Sequence, residues 1–238
     1  MADLQPGLAP RFTHGTFTPG WYSIADPKLY TLALADHFRA RGGRIEIAEI
    51  RTLQPTDAGI EAIGDRVFSG DRVVLAAGAF SHHIAKTIGE RIPLETERGY
   101  NTTLPPDALD LRCQVTFGEH GFVVSRLSTG IRVGGAVELG GLKLAPNFKR
   151  AEAMLAKAET FLPGLKTAGG TRWMGFRPSL PDSLPALGLA RGDRRIIHAF
   201  GHGHLGLTQS VGTARIVADL LTGAPLPVDI SSFSPQRF

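Results

Sequence analysis

Two short apolar runs constrain this chain more than anything else in it. Asp71 to Ala77 reads DRVVLAA and Arg195 to Phe200 reads RIIHAF. Unbroken runs of this kind belong to strands covered on both faces, where no alternate position meets water. Each run ends on glycine, at Gly78 and Gly201, and each is followed by a stretch with helical spacing, Phe80 to Ile88 and Thr208 to Leu221. Strand, glycine and helix in that order, twice over, specify an α/β layer.

A further helix is marked out near the N-terminus. Asp26 suits an N-cap and Pro27 the first helical position. Tyr30, Ala33, Leu34, His37 and Phe38 then recur at i, i+3, i+4, i+7 and i+8, which predicts one buried stripe ending at Gly42-Gly43. Arg44 to Ile50 alternates around Ile45 and Ile47 and reads as a strand. Gly59 to Gly64 with Val67 to Ser69 reads as a hairpin. From Pro93 onward the style changes to short alternating strands between turns: Leu94 to Asn101, Gln114 to Phe117, Gly121 to Arg126, Gly130 to Glu138 and Thr171 to Arg177. That is antiparallel sheet. One helix, Phe148 to Phe161, interrupts it before Pro163-Gly164. The expected fold class is therefore α/β (mixed α+β), two interleaved layers. Residues 26–90 and 179–238 form the α/β layer and residues 91–178 the antiparallel sheet. Residues 1–25, with the aromatic extended stretch Thr16 to Ser23, join that sheet.

Composition removes several function classes. A hydrophobic share of 42% excludes a disordered chain. Lysine and arginine total 26 against 22 acids, a net charge of +4 with no long run of one sign. The arginines are scattered, which argues against a nucleic-acid module. Cys113 is the single cysteine, so no internal disulfide forms, which suits a reducing, cytoplasmic setting. No apolar run reaches the length of a membrane span.

Candidate chemistry gathers at two places. The string GHGHLG, residues 201–206, joins a buried strand directly to a helix. Its glycines let a ligand approach the backbone, and the free N–H groups at a helix start favour negative charge. A plain glycine-rich turn reads the same way, and the residues alone leave both open. The second place is WMGFRP, where Arg177 sits on an apolar strand. A planar guanidinium there matches a carboxylate, as a substrate clamp, or pairs internally with an acid such as Asp182. Tyr100 faces either a pocket or the core. The spacing of His198, His202 and His204 lacks the acid and the helical register of a metal site, so no metal is expected. GxSxG is absent.

The ordered strings ADPKLYTLALADHFRARGG, DRVVLAAGAFS, IPLETERGY, VGGAVELGG, LPGL, WMGFRPSLPDSLPALG and AFGHGHLGLTQSVGTARIVADLL together resemble the C-terminal portion of the FAD-dependent D-amino-acid dehydrogenase and oxidase family. The resemblance implies an incomplete Rossmann-like FAD-binding layer interleaved with an antiparallel substrate-binding domain. It implies FAD as cofactor, placed near Ala77 and Gly78 and against Gly201, His202, Gly203, His204, Leu205, Gly206 and Thr208. It implies a substrate carboxylate on Arg177 and a small amino or imino acid, such as a D-amino acid or D-proline, as substrate; Tyr100, if it faces the pocket, is the other candidate for substrate contact. Orientation rather than a dedicated base would carry the hydride transfer. One family element is missing. No strand–GxGxxG–helix unit with a following ribose acid occurs. The chain is then expected to bind FAD poorly alone, as a fragment, a gene remnant or a subunit whose partner is a separate N-terminal FAD-binding chain. The family also leaves open a peripheral place at the inner membrane.

Overall fold

The computed structural model describes residue 1 and residues 3–238. In chain order its elements are α1 (Pro27–Ala40), β1 (Ile50–Thr56), β2 (Gly59–Gly64), β3 (Val67–Gly70), β4 (Val73–Leu75), α2 (Ser81–Thr87), β5 (Glu95–Leu104), β6 (Val115–Phe117), β7 (Phe122–Leu127), β8 (Gly130–Leu139), α3 (Lys149–Phe161), β9 (Thr171–Ser179), β10 (Ala186–Leu189), β11 (Ile196–Phe200) and α4 (Gly206–Thr222). Two compact units share them. Met1–Ile45, Arg98–Glu138 and Leu144–Gly175 make the first, and Glu46–Glu97, Leu139–Lys143 and Phe176–Phe238 the second.

The first unit is built on a five-stranded sheet in the order β6-β7-β8-β5-β9. β7 and β8 form a hairpin with Leu127 opposite Gly130 and Phe122 opposite Gly135. Period-2 alternation puts Phe122 and Val124 on one face with Ile131 and Val133. They pack against Met154, Ala158 and Phe161, which α3 presents at i, i+4 and i+7. Gly130 has φ +137°, and a Cβ there would lie 1.9 Å from the Leu104 carbonyl oxygen, so only glycine lets the strand approach so closely. Phe12 stacks its ring edge on Phe161 at 5.0 Å. Gln5 is buried, donating to the Asp110 carbonyl and accepting from the Arg112 N–H.

The second unit holds the meander β1-β2-β3 and the sheet β10-β11-β4, in which β11 and β4 are parallel, with Ile196 opposite Val73 and His198 opposite Leu75. Its core is Leu53, Ile60, Leu75, Ile84, Ala85, Ile92, Leu180, Ala186, Ile196 and Phe200.

Several expectations need correction. α1 forms where Asp26 and Pro27 place it, and the Asp26 carboxylate accepts the Leu29 N–H at 2.9 Å. Its stripe, however, is not core. None of its residues is buried, and Leu34 and Phe38 are each half open to solvent. The strand expected over residues 44–50 forms only from Ile50. Side chains at the β2–β3 turn occupy the preceding backbone instead: Asp65 accepts the Glu49 N–H and Arg66 donates to the Ile47 carbonyl. Ile47 is left 94% exposed. Residues 16–23 join no ladder of the five-stranded sheet, and Trp21 and Tyr22 stand in solvent. DRVVLAA is a strand only over Val73–Leu75, because β4 is the end of its sheet among the described residues and pairs on one edge alone. β1 and β10 were not anticipated. The first carries Pro55 and the second Gly188, residues that argue against a strand.

Candidate functional site

The site is assembled in the second unit, at the carboxyl ends of two neighbouring parallel strands. β4 runs through Ala76 and Ala77 into Gly78, whose φ of +56° turns the chain into a short 3-10 segment. β11 runs into Gly201, where φ is +84° and a Cβ would meet Leu180 at 2.6 Å. Gly203 follows at φ +51° and its N–H donates to the Pro178 carbonyl at 2.8 Å. The loop is thus pinned to the strand that carries Arg177. α4 begins at Gly206 with no side chain capping it, so its first N–H groups point outward with the positive end of the helix dipole. Leu205, Leu207 and Val211 are exposed along that end, and Thr208 lies in the first turn. The Gln209 Oε1 is buried without a hydrogen-bond partner, a polar atom that a ligand can satisfy. His202 is half-buried, its Nε2 sharing a hydrogen bond with the Thr213 hydroxyl at 3.0 Å. Burial pushes its pKa down, which keeps the ring neutral beside the loop.

Ala77, Gly78 and the whole of residues 201–208 therefore converge on one edge of one sheet. This edge is where open α/β sheets take ligands. Three positive-φ glycines, Gly78, Gly201 and Gly203, an uncapped helix start and an orphaned amide oxygen fit an extended cofactor such as FAD laid across the loop.

Arg177 lies on β9, half-buried. Burial pushes its guanidinium pKa down, and the Glu97 carboxylate opposes that shift. Asp182, the internal partner considered above, is engaged elsewhere: Arg237 donates to both of its oxygens, at 2.6 and 3.1 Å. Glu97 was not singled out from sequence. It stands on β5, next to β9 in the sheet, and its Oε2 is 2.7 Å from His204 Nε2. Glu97 thus links Arg177, on which it acts electrostatically, to His204 on the loop. Alternation along ETERGY carried part of this signal, since Thr96, Arg98 and Tyr100 are buried and Glu97 falls on the more open side. Its meeting with a histidine 107 positions away carried no local trace.

Tyr100 is placed differently from the substrate-facing expectation. It is 1% exposed in the first unit. Its hydroxyl donates to Glu138 and accepts the Asn147 N–H at 3.0 Å, and its ring meets Phe148 edge-on. Glu138 also receives Arg150 at 3.2 Å and Arg98 at 3.6 Å. Tyrosine here satisfies a buried charge network and has no surface left for a substrate.

Comparison with known proteins places this geometry. The family described as FAD dependent oxidoreductase (DAO) matches residues 1–220. A D-amino-acid oxidase of Bradyrhizobium diazoefficiens is 36% identical over all of this chain and 58% of its own length. A D-amino acid dehydrogenase of Paramagnetospirillum magneticum is 35% identical over 94% of this chain and 54% of its own length. Among solved structures, glycine oxidase from Geobacillus kaustophilus superposes with a TM-score of 0.77 at 23% identity, covering 87% of this chain and 57% of that one. The chain thus spans a little over half the length of the curated relatives it matches. In those relatives the matched residues lie within one longer polypeptide, which lends no support to a separate FAD-binding chain. No helix among the described residues is long and apolar enough to cross a membrane, and nothing here supports a peripheral membrane site. On the extent of the family match, the chain belongs to the FAD-dependent oxidoreductase (DAO) family.

Proposed function

We propose that this chain supplies the flavin-facing loop and the substrate clamp of an FAD-dependent oxidoreductase acting on D-amino acids or cyclic imino acids such as D-proline. The observation that carries the reading is the pinning of the Gly201–Gly206 loop to Pro178, one residue from Arg177. It ties a ligand-accepting edge to a half-buried cation on which the Glu97 carboxylate acts. FAD, when bound, supplies a hydride acceptor for the substrate α-carbon, which leaves an imine for water to hydrolyse. The chain's own residues orient. Arg177 takes the carboxylate with a two-pronged hydrogen bond, and the start of α4 favours negative charge across the loop. Gly201, Gly203 and Gly206 keep side chains out of the approach.

A second reading, a carboxylate-binding unit without redox activity of its own, draws on the uncovered α1 and on residues 44–49, which form no strand. Anaerobic addition of D-alanine to the chain with FAD decides between them. Bleaching of the visible flavin band, abolished in Arg177→Ala, is the result expected. Binding of D-alanine without bleaching would favour the second reading. Bleaching that survives Arg177→Ala at unchanged half-saturation would remove the clamp from both.

A further inference from the structure

Arg177 has the Glu97 carboxylate acting on it from the neighbouring strand. Glu97 is in turn held by His204 at 2.7 Å. An ionised carboxylate only accepts hydrogen bonds, so His204 Nε2 carries the proton and donates. The histidine is fixed by its loop, since Gly203 immediately before it is bonded to Pro178. The Glu97 side chain keeps 29% of its surface open. A positive and a negative group thus stand on adjacent strands, with the negative one fixed in direction by a third residue and still accessible.

This arrangement discriminates by charge pattern. A bare carboxylate that docks on Arg177 brings a second negative charge toward Glu97 and is disfavoured. A zwitterion brings its own ammonium, which Glu97 can accept. We propose that Glu97 is a specificity-determining residue that binds the substrate's primary or secondary ammonium nitrogen while Arg177 binds its carboxylate. His204 is a positioning residue that holds the Glu97 carboxylate in place. The selected class is the zwitterionic α-amino or α-imino acid, against the corresponding simple carboxylic acid. The inference rests on the clamp role of Arg177 under Proposed function.

The test compares D-alanine with propionate, the same carbon skeleton lacking nitrogen, by following amide chemical shifts of residues 201–206 in the 238-residue chain. The wild-type chain is expected to bind D-alanine about tenfold more tightly than propionate, the scale of one hydrogen bond to a charged group. Glu97→Gln should erase the preference while propionate binding is kept or strengthened, which also shows an intact site. His204→Gln, which retains a donor, should preserve the preference, and His204→Ala should reduce it. Equal binding of both ligands by the wild type, a preference that survives Glu97→Gln, or loss of both ligands in that variant would overturn the role of Glu97. Binding that is unchanged in Arg177→Gln, or no binding of either ligand, would overturn the clamp itself.

Discussion

At the scale of single residues the second unit carries two imidazoles withdrawn from water, one fully and one partly, with a consequence for stability. His198 is fully buried on β11 with Nε2 2.8 Å from Glu90, and His202 is half-buried beside Thr213. Burial pushes both pKa values down, against the pull of Glu90 in the case of His198. A histidine whose folded pKa is depressed binds its proton more weakly in the fold than in the unfolded chain. Stability is therefore full above the ordinary value of 6.5 and is lost as pH falls below it. Urea unfolding midpoints should be flat above that value and decline on acidification. Replacing His202 with glutamine, which keeps a hydrogen-bonding amide but cannot titrate, should shallow the decline. A midpoint that rises on acidification would contradict these placements. The pairing of His198 with Glu90 spans 108 positions, so no reading of local spacing could expose it. What local spacing did expose was residue type: an arginine among WMGF is conspicuous because its burial needs a partner.

At the scale of elements, Gly201 is the hinge on which the site depends. Its φ of +84° and its contact with Leu180 leave no place for a side chain. Gly201→Ala should cost about 1–2 kcal/mol from the left-handed backbone alone, read as a lower urea midpoint, and should shift the amide resonances of residues 202–206. α1 behaves differently. Its cap is real but it buries nothing, so Asp26→Ala should speed amide exchange within residues 27–40 and leave the global unfolding midpoint unmoved. Capping and periodicity made α1 legible because both are local. Its burial was not legible, since an apolar stripe states what a helix can cover and not what is present to cover. The same holds for residues 44–49, whose alternation around Ile45 and Ile47 promises a strand but cannot supply a neighbour. β10 stayed hidden for the opposite reason. Gly188 weakens the pattern, and the pairing with β11, Gly188 opposite His198, is what makes it a strand.

At the scale of the whole molecule, the chain matches relatives nearly twice its length, and its surface keeps large apolar residues open. Trp21, Tyr22, Phe38 and Ile47 toward the N-terminus are exposed, as are Leu205 just before α4 and Leu207 and Val211 on it. Large apolar side chains left open to water favour association. Sedimentation should show mass rising with concentration, and polar replacement of Phe38 and Ile47 together should suppress the rise. A strictly monomeric chain at all concentrations would count against that reading.

The central claim is that residues 201–208 receive the flavin ring, while the dinucleotide motif that grips the pyrophosphate is absent from these 238 residues. The most direct measurement is the visible difference spectrum of riboflavin and of FAD titrated with the chain and with its Gly203→Val variant. The account predicts a perturbed flavin band with both ligands, at affinities within about tenfold of each other because the motif that would hold the adenosine half is not among these residues, and no perturbation with Gly203→Val. No perturbation with the wild-type chain, or one that persists in Gly203→Val, would contradict it.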